Sequence, residues 1–254
     1  MRSHKVTFWM WFAVLLWLAH STGYLVHEFG HTFAAYALGF KTNPLALDYG
    51  HFDLRNVLLL SEIDENVDYD AVLATGKGSF AALIAAAGMV LGSGTFYVIS
   101  RWLYTNSKKK NRMILGSFAF LFCGMNVGNF LDYVPVRTFT THADMARIES
   151  GLHISPWWVA IALGIPTAAA IWHLFARMLP DASLFLFPGE PASQGFLVVL
   201  SALIVFGFFG SAGWYGYGAV SHWISVCSLC IAFPATMLCC WPRRGQPMNA
   251  RREV

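Results

Sequence analysis

Six apolar stretches, each close to the length of a membrane crossing, limit most strongly how this chain can fold. A helix needs about twenty apolar residues to cross the roughly 30 Å hydrocarbon core of a bilayer. Stretches near that length or longer lie at residues 6–40, 79–100, 113–134, 157–179, 196–220 and 222–241. In lipid, each backbone polar group must find a partner within the protein, which favours helices for stretches this long. The sequence therefore predicts an all-α polytopic membrane protein with about six transmembrane helices.

The composition agrees with a protein embedded in lipid. Of 254 residues, 56% are hydrophobic and only 12% are charged, whereas about a quarter of the residues in a soluble domain are charged. We therefore expect a multi-pass integral membrane protein that has the lipid bilayer as a partner and lies in the cell membrane. The net charge of +3 is small, and the basic residues flank apolar stretches. Binding to nucleic acid is not expected.

The basic residues also predict which helix ends face the cytoplasm. They cluster at residues 101–112 and 243–252, and the positive-inside rule places both clusters in the cytoplasm. With six crossings, the acidic segment 41–77 and the segment 135–155 then lie together on the opposite side. Within the acidic segment, residues 45–60 alternate in polarity and contain turn signals. This pattern predicts a small extramembrane β hairpin or a loop after the first helix.

A cluster of ionisable residues interrupts the first apolar stretch. His27, Glu28 and His31 stand in the pattern His-Glu-Phe-Gly-His. Histidines four positions apart lie on one face of a helix and can bind one Zn²⁺, while the neighbouring glutamate can act as general base toward water. Ionisable groups at bilayer depth are costly and mark functional sites. The pattern predicts a zinc site with His27 and His31 as ligands and Glu28 as a catalytic residue.

A tetrahedral zinc ion needs a further protein ligand besides the two histidines. On the expected topology, this ligand comes from the same side of the membrane as the end of the first helix. Asp132, near the end of the third apolar stretch, and Asp144, after a loop, are both candidates, and His142 is a weaker one. Each aspartate also has a structural explanation, since Asp132 can pair with Arg137 and Asp144 can cap a short helix. These residues alone leave the choice open.

Three segments together resemble the site-2 protease family of intramembrane zinc metalloproteases. Residues 27–40 are similar to the family's HExGH segment with its trailing small residues, and residues 87–92 to its glycine-rich span. The third segment, residues 126–148, is similar to the family's Asn, Pro and Asp-Gly element. It contains Asp-Met-Ala-Arg-Ile from Asp144 onward. The resemblance covers roughly residues 10–150.

The resemblance implies a ligand set and an activity. It favours Asp144 over Asp132 as the third zinc ligand, beside His27 and His31. The chain would be a zinc metalloendopeptidase that hydrolyses peptide bonds in or near transmembrane segments of a membrane-protein substrate. Asn129, or else Asn126, would donate a hydrogen bond to the developing oxyanion.

The resemblance also implies an organisation of the chain. Residues 1–155 would form a site-2-protease-like catalytic membrane core, and residues 156–254 would add further transmembrane helices and a basic tail. The chain departs from the family pattern in having Met145 in place of the glycine after the aspartate, in a longer spacing from Asn129 to Asp144, and in lacking a PDZ-like insert. A separate substrate-selecting or regulatory membrane protein is therefore an expected partner.

Two other functions stay open on the sequence. An ion transporter could line a path with His20, His27, Glu28 and His31. Such a path would need further polar residues along several helices, and the later apolar stretches have few. A catalytically silent membrane scaffold could keep the same fold to bind client helices. The intact HExxH pattern argues against this scaffold.

Overall fold

Six helical spans organise the protein, which we describe from a computed structural model covering residues 2–214 and 216–242. The spans are long and apolar enough to cross a membrane, and they confirm the predicted all-α polytopic fold. Spans 1 to 6 run over Trp9–Ala37, Gly78–Lys109, Met113–Val136, Pro156–Leu186, Pro191–Trp214 and Gly218–Cys240. The basic tail beyond residue 242 lies outside the described residues.

The α-helices that build the spans and their connections are numbered in chain order. Helices α1 to α12 are Arg2–Ala37, Leu54–Leu59, Tyr69–Ala74, Gly78–Ala87, Thr95–Lys109, Met113–Leu131, Ala143–Leu152, Pro156–His173, Leu179–Leu186, Pro191–Ala202, Gly218–Cys227 and Phe233–Cys240. Five π-helical segments, at Gly88–Gly94, Asp132–Val136, Leu174–Met178, Leu203–Phe208 and Ser228–Ala232, and a 3₁₀ helix at Phe209–Trp214 continue these helices. Such π-helical turns are often found at functional sites.

Span 3 lies at the centre of the bundle. Within its most apolar window 78% of the residues are buried, against 11% in span 6. Phe120 and Leu121 of span 3 pack with Leu174 of span 4 and Leu197 of span 5 in the main apolar core. In lipid, close packing of this kind is a principal source of helix association. Span 3 therefore makes the central packing contacts of the bundle.

A second apolar cluster holds α7 against α4. Ile84 of α4 and Met145 of α7 are both completely buried in it. The two helices meet at glycines, because a Cβ added to Gly78 would lie 2.6 Å from the Gly151 carbonyl oxygen. Only residues without a side chain permit this approach. The contact fixes the position of α7, which carries Asp144.

The acidic segment 41–77 does not form the predicted hairpin. In place of two strands, the structure has helices α2 and α3 and one isolated antiparallel bridge between Asp48 and Asp64. Side-chain hydrogen bonds explain the difference. Asp53 caps α2 by accepting from the Asn56 backbone N–H at 2.8 Å, and the Asn56 side chain donates to the Tyr49 carbonyl at 2.8 Å. Such local bonds compete with strand pairing, so the hairpin alternative is wrong and the loop alternative holds.

The acidic segment and the segment after span 3 lie on the same side of the bundle, as predicted. The Lys41 ammonium donates to the Glu65 and Asn66 carbonyls at 2.8 and 2.7 Å. The Arg147 guanidinium of α7 lies 3.9 Å from the Glu65 carboxylate. These contacts hold the two segments together at one end of the bundle.

Candidate metal centre

His27 and His31 lie one turn apart on the buried face of span 1. They are 2% and 1% exposed, and their Nε2 atoms lie 3.2 Å apart. The other ring nitrogens have separate partners: His31 Nδ1 lies 2.8 Å from the Ile84 carbonyl oxygen, and His27 Nδ1 lies 3.4 Å from Ser93 Oγ. An Nδ1–H that donates to a carbonyl leaves the lone pair on Nε2. The helix thus directs two nitrogen ligands to one point.

Asp144 brings a carboxylate to the same point from α7. Its Oδ2 lies 3.3 Å from His27 Nε2 and 3.2 Å from His31 Nε2. Burial would raise the pKa of the Asp144 carboxyl, but the neighbouring imidazoles hold that pKa well below its usual range. The preceding residue, Ala143, has a φ of 71°, a left-handed conformation that costs about 1–2 kcal/mol outside glycine. Packing of α7 against α4 maintains this turn, and the turn places Asp144 beside the histidines.

The spacing of these three atoms fits a metal ion. Bonds of about 2.0–2.2 Å to a tetrahedral zinc place neighbouring ligand atoms about 3.3 Å apart, which matches the separations of 3.2 to 3.3 Å. When both imidazoles are neutral, all three atoms direct lone pairs at one point, and a bound cation there would satisfy all three. Among the described residues, these three meet the spacing required for metal ligands. A buried group able to bind a metal ion is therefore present, as predicted.

Glycines allow span 2 to pack directly against the histidines. A Cβ added to Gly88 would lie 2.2 Å from His31 Nε2 and 2.8 Å from His27 Nε2. At Gly92 it would lie 2.5 Å from the Val26 carbonyl oxygen, and at Gly30 it would lie 2.6 Å from the Ala87 carbonyl oxygen. The predicted glycine-rich segment therefore forms a wall of the site, within the π-helical turn Gly88–Gly94.

Two buried glutamates surround the ligand group. Glu28 is 4% exposed, and in the part of the chain that is described no hydrogen bond holds its carboxylate. Glu65 reaches the same region from the acidic segment and is 6% exposed; burial raises the pKa of its carboxyl. No sequence pattern indicates Glu65, since it is one of several acidic residues in that segment and no spacing distinguishes it.

Asp132 does not join the ligand group. Its two carboxylate oxygens accept hydrogen bonds from Arg137 at 2.8 and 2.7 Å, the structural explanation that the sequence allowed. The Arg137 guanidinium also lies 4.6 Å from the centre of the Tyr133 ring. Tyr133 in turn packs on His27, with ring centroids 4.2 Å apart. Apart from the Asp132–Arg137 pair, no sequence pattern indicates these contacts, which support one side of the His27 ring.

Asn129 lies one contact away from the ligand group. Its Nδ2 donates to Ser93 Oγ at 3.4 Å, and that hydroxyl is the neighbour of His27 Nδ1. Asn126 instead donates to the Phe122 carbonyl in its own helix at 2.8 Å, which removes it from the site. His142 is exposed and stacks on Tyr217, with ring centroids 5.0 Å apart. Of these three candidates, Asn129 lies near the ligand group, and Asn126 and His142 have their partners elsewhere.

A cavity of about 770 Å³ adjoins this centre on the side of span 5. Its walls include Tyr24, Asn129, Tyr133, Arg137 and Trp214. One face of the Tyr133 ring packs on His27, and Tyr133 also lines the cavity. A single layer of side chains therefore separates the cavity from the ligand group. The polar groups of Tyr24, Asn129 and Arg137 in its walls are hydrogen-bonding partners suitable for water.

Comparison with protein-family models, with curated proteins and with solved structures finds no match. The buried group of His27, His31 and Asp144, set among membrane-spanning helices, is the strongest indication of what the protein does.

Proposed function

We propose that this protein is an intramembrane zinc metalloprotease of the site-2 protease type, which cleaves peptide bonds in or near transmembrane segments. The observation that carries the proposal is the convergence of His27 Nε2, His31 Nε2 and Asp144 Oδ2 within 3.3 Å of one another, beside a buried glutamate. Three protein ligands with one open position are typical of catalytic zinc sites. Structural zinc sites use four protein ligands.

The side chains divide the work between metal binding and proton transfer. His27, His31 and Asp144 would hold Zn²⁺. The chemistry that bound Zn²⁺ supplies is Lewis-acid polarisation of the scissile carbonyl and acidification of the attacking water. Glu28 would take the proton from that water and give it to the leaving nitrogen. Its burial and its lack of a hydrogen-bond partner among the described residues leave the carboxylate available for this exchange.

Asn129 is the side chain that we assign to the developing oxyanion. Its hydrogen bond to Ser93 is long, at 3.4 Å, and bonds of that length contribute little. The amide also lines the 770 Å³ cavity. Asn129 can therefore exchange the Ser93 hydroxyl for a substrate oxygen at small cost.

The cavity supplies a route for water to the site. His31 lies six residues before the end of α1, so the ligand group is about 9 Å along the helix from its outer end. His20 and Tyr24 connect the cavity wall to the acidic segment, through the carbonyls of Leu59 at 3.0 Å and Ile63 at 3.4 Å. Water from the outer side would reach the scissile bond through this polar opening.

The ion-transport alternative has less support than proteolysis. A transport path would continue from the histidines toward the other end of the bundle, where span 2 ends at Lys109. The main cluster in that direction is apolar and contains Phe120, Leu121, Leu174 and Leu197, all at most 2% exposed. Such a cluster would present a barrier to ions.

Zinc content and peptide cleavage together test the proposal. The purified full-length protein would be incubated in detergent with a panel of single-span membrane proteins that carry terminal tags. We expect one zinc per chain and cleavage within the span of at least one panel member. Glu28→Gln is expected to keep the zinc and reduce cleavage by at least about 10²-fold, since general-base catalysis contributes 10²- to 10⁴-fold.

The matched control is Glu149→Gln, which changes a glutamate of α7 that no proposed step uses. It should cleave like the wild type. Cleavage by the Glu28→Gln protein at the wild-type rate would refute the protease mechanism. Retained zinc without any cleavage in the wild type would instead favour the silent scaffold.

A further inference from the structure

A second and larger cavity lies at the opposite end of the bundle from the metal centre. It has a volume of about 1050 Å³ and opens between spans 2, 4 and 6, near their ends at Lys109, Leu186 and Cys240. We call these the inner ends of the spans. Arg101 and Lys108 line it from span 2, Arg177 and Asp181 from span 4, and Thr236 from span 6. None of the residues of the candidate metal centre contributes to its walls.

The charges in this cavity are incompletely balanced. Lys108 forms an ion pair with one oxygen of the Asp181 carboxylate, and the Tyr104 hydroxyl donates to the other oxygen at 2.8 Å. Asp181 is therefore satisfied by its neighbours. Arg101 and Arg177 have no carboxylate within ion-pair distance in the described part of the chain. Arg177 lies over the Trp172 ring, 5.5 Å from its centre. The ring carries no net charge, so it does not neutralise the guanidinium.

The remaining walls are apolar and extend toward the middle of the bundle. Phe175 and Phe206 stack with ring centroids 5.3 Å apart, and Ile171 continues the apolar surface beyond them. Arg101 precedes Lys108 by seven residues on one helix, so the basic zone extends about 10 Å along the span. The headgroup region of one leaflet is of similar depth, about 5–8 Å. The cavity thus has a basic zone about as deep as a headgroup layer and an apolar surface beside it.

We propose that this cavity binds one anionic glycerophospholipid of the inner leaflet. The lipid phosphate would lie between Arg101 and Arg177, and an acyl chain would lie along Phe175 and Phe206. Guanidinium groups bind phosphate through paired hydrogen bonds, and basic pockets between membrane helices on the cytoplasmic side suit anionic headgroups. A zwitterionic lipid would leave the excess positive charge uncompensated. Charge complementarity therefore selects an anionic lipid.

The bound lipid would also connect a weakly packed helix to the bundle. Span 6 has the smallest buried share of the six spans, and it forms one wall of the cavity through Thr236 and Cys239. An acyl chain in the cavity would contact spans 2, 4 and 6 together. The lipid thus acts as a structural ligand, independent of the proposed proteolytic chemistry.

Lipid competition in detergent solution tests this proposal. Purified full-length protein would be titrated with pyrene-labelled phosphatidylglycerol and, separately, with pyrene-labelled phosphatidylcholine of the same chain length. We expect the wild type to prefer phosphatidylglycerol. Arg101→Gln combined with Arg177→Gln should reduce that preference by about thirtyfold, since each basic residue near anionic lipid contributes about fivefold. The matched control, Lys110→Gln with Arg112→Gln, removes two positive charges from the same end of the bundle but outside the cavity.

The control variant should keep the wild-type preference, and both double variants should elute from size-exclusion chromatography as the wild type does, as evidence of folding. A second variant, Ala235→Trp, fills the cavity while it leaves both arginines in place, and it should weaken binding of phosphatidylglycerol. Equal loss of preference in the control would show a general surface effect and overturn the proposal. Full competition by inorganic phosphate would also overturn it, because the site would then bind free phosphate without need of a lipid.

Discussion

Spans 1–3 and spans 4–6 pack their helices in the same way but place different residues at the contacts. A Cβ on Gly88 in span 2 would lie 2.2 Å from His31 Nε2, and a Cβ on Gly210 in span 5 would lie 2.0 Å from Ser228 Oγ. The first contact encloses ionisable side chains. In spans 4–6, the polar residues that the described structure buries are uncharged, namely Thr167, Ser183, Gln194, Ser201, Ser221, Ser225 and Ser228.

Close glycine packing therefore does not by itself identify a functional site. In both regions, a glycine brings two helices together and removes the space that water would occupy. The contact at Gly88 encloses two histidine nitrogens that converge with the Asp144 carboxylate, a grouping suited to a metal ion among the described residues, whereas the contact at Gly210 encloses a serine hydroxyl. Function therefore depends on which side chains the glycine contact encloses.

The largest expected effect contrasts these two glycines. Gly88→Ala should abolish zinc binding, because the added methyl group would occupy the space beside both histidine Nε2 atoms. Gly210→Ala should lower the unfolding temperature through its clash with Ser228, yet keep one zinc per chain. Gly164→Ala should change neither, since nothing lies within 4 Å of its added Cβ. Zinc analysis and thermal unfolding of the three variants would check this, and loss of zinc in Gly210→Ala would remove the distinction.

The next contrast concerns two ion pairs. The Arg137–Asp132 pair is mostly buried, with side chains 21% and 7% exposed, whereas the Lys108–Asp181 pair is 43% and 25% exposed. Arg137→Met leaves a carboxylate buried alone and should reduce the free energy of unfolding by about 3 kcal/mol. Lys108→Met should cost about 1 kcal/mol or less. Comparable losses in chemical unfolding would contradict the assigned difference in environment.

The smallest expected effect is a pH dependence of the folding stability that comes from Glu149 in α7. Burial raises the pKa of the Glu149 carboxyl from 4.5 to about 7. A raised pKa in the folded protein means that the protonated form favours folding, so this contribution is complete below pH 4.5 and is lost as the pH rises through about 7. Because the group is only partly buried, the effect should stay below about 1 kcal/mol.

Glu149→Gln should remove that part of the pH dependence. The measurement is the unfolding temperature between pH 4.5 and 8, with Glu62→Gln as the control, since the Glu62 carboxylate lies at the surface of the acidic segment. An unchanged pH profile in Glu149→Gln would contradict the assignment.

The sequence predicts the features that depend on local periodicity. Six spans follow from the length of the apolar stretches, and the histidine pair follows from the helical repeat that places residues 27 and 31 on one face. Span 2 is longer than predicted, because its helix continues nine residues past residue 100 to Lys109 with polar side chains that a search for apolar residues ignores.

The features that depend on distant contacts were harder to predict. Asp144 reaches the histidines only because Gly78 and Gly151 bring α4 and α7 into backbone contact, and the family resemblance, rather than any spacing, favoured it. Glu65 and Tyr133 approach the site from segments far from His27 in the chain, so no sequence pattern marked them. The predicted hairpin does not form, because side-chain hydrogen bonds of Asp53 and Asn56 favour a helical turn.

The zinc stoichiometry of purified wild type beside two aspartate variants tests whether His27, His31 and Asp144 bind the metal. Asp144→Asn and Asp132→Asn make the same chemical change to two buried carboxylates, of which only the first faces the histidines. We expect one zinc per chain in the wild type and in Asp132→Asn, and zinc lost or held at least tenfold more weakly in Asp144→Asn. A wild type without zinc, or full zinc retention in Asp144→Asn with loss in Asp132→Asn, would contradict this ligand assignment.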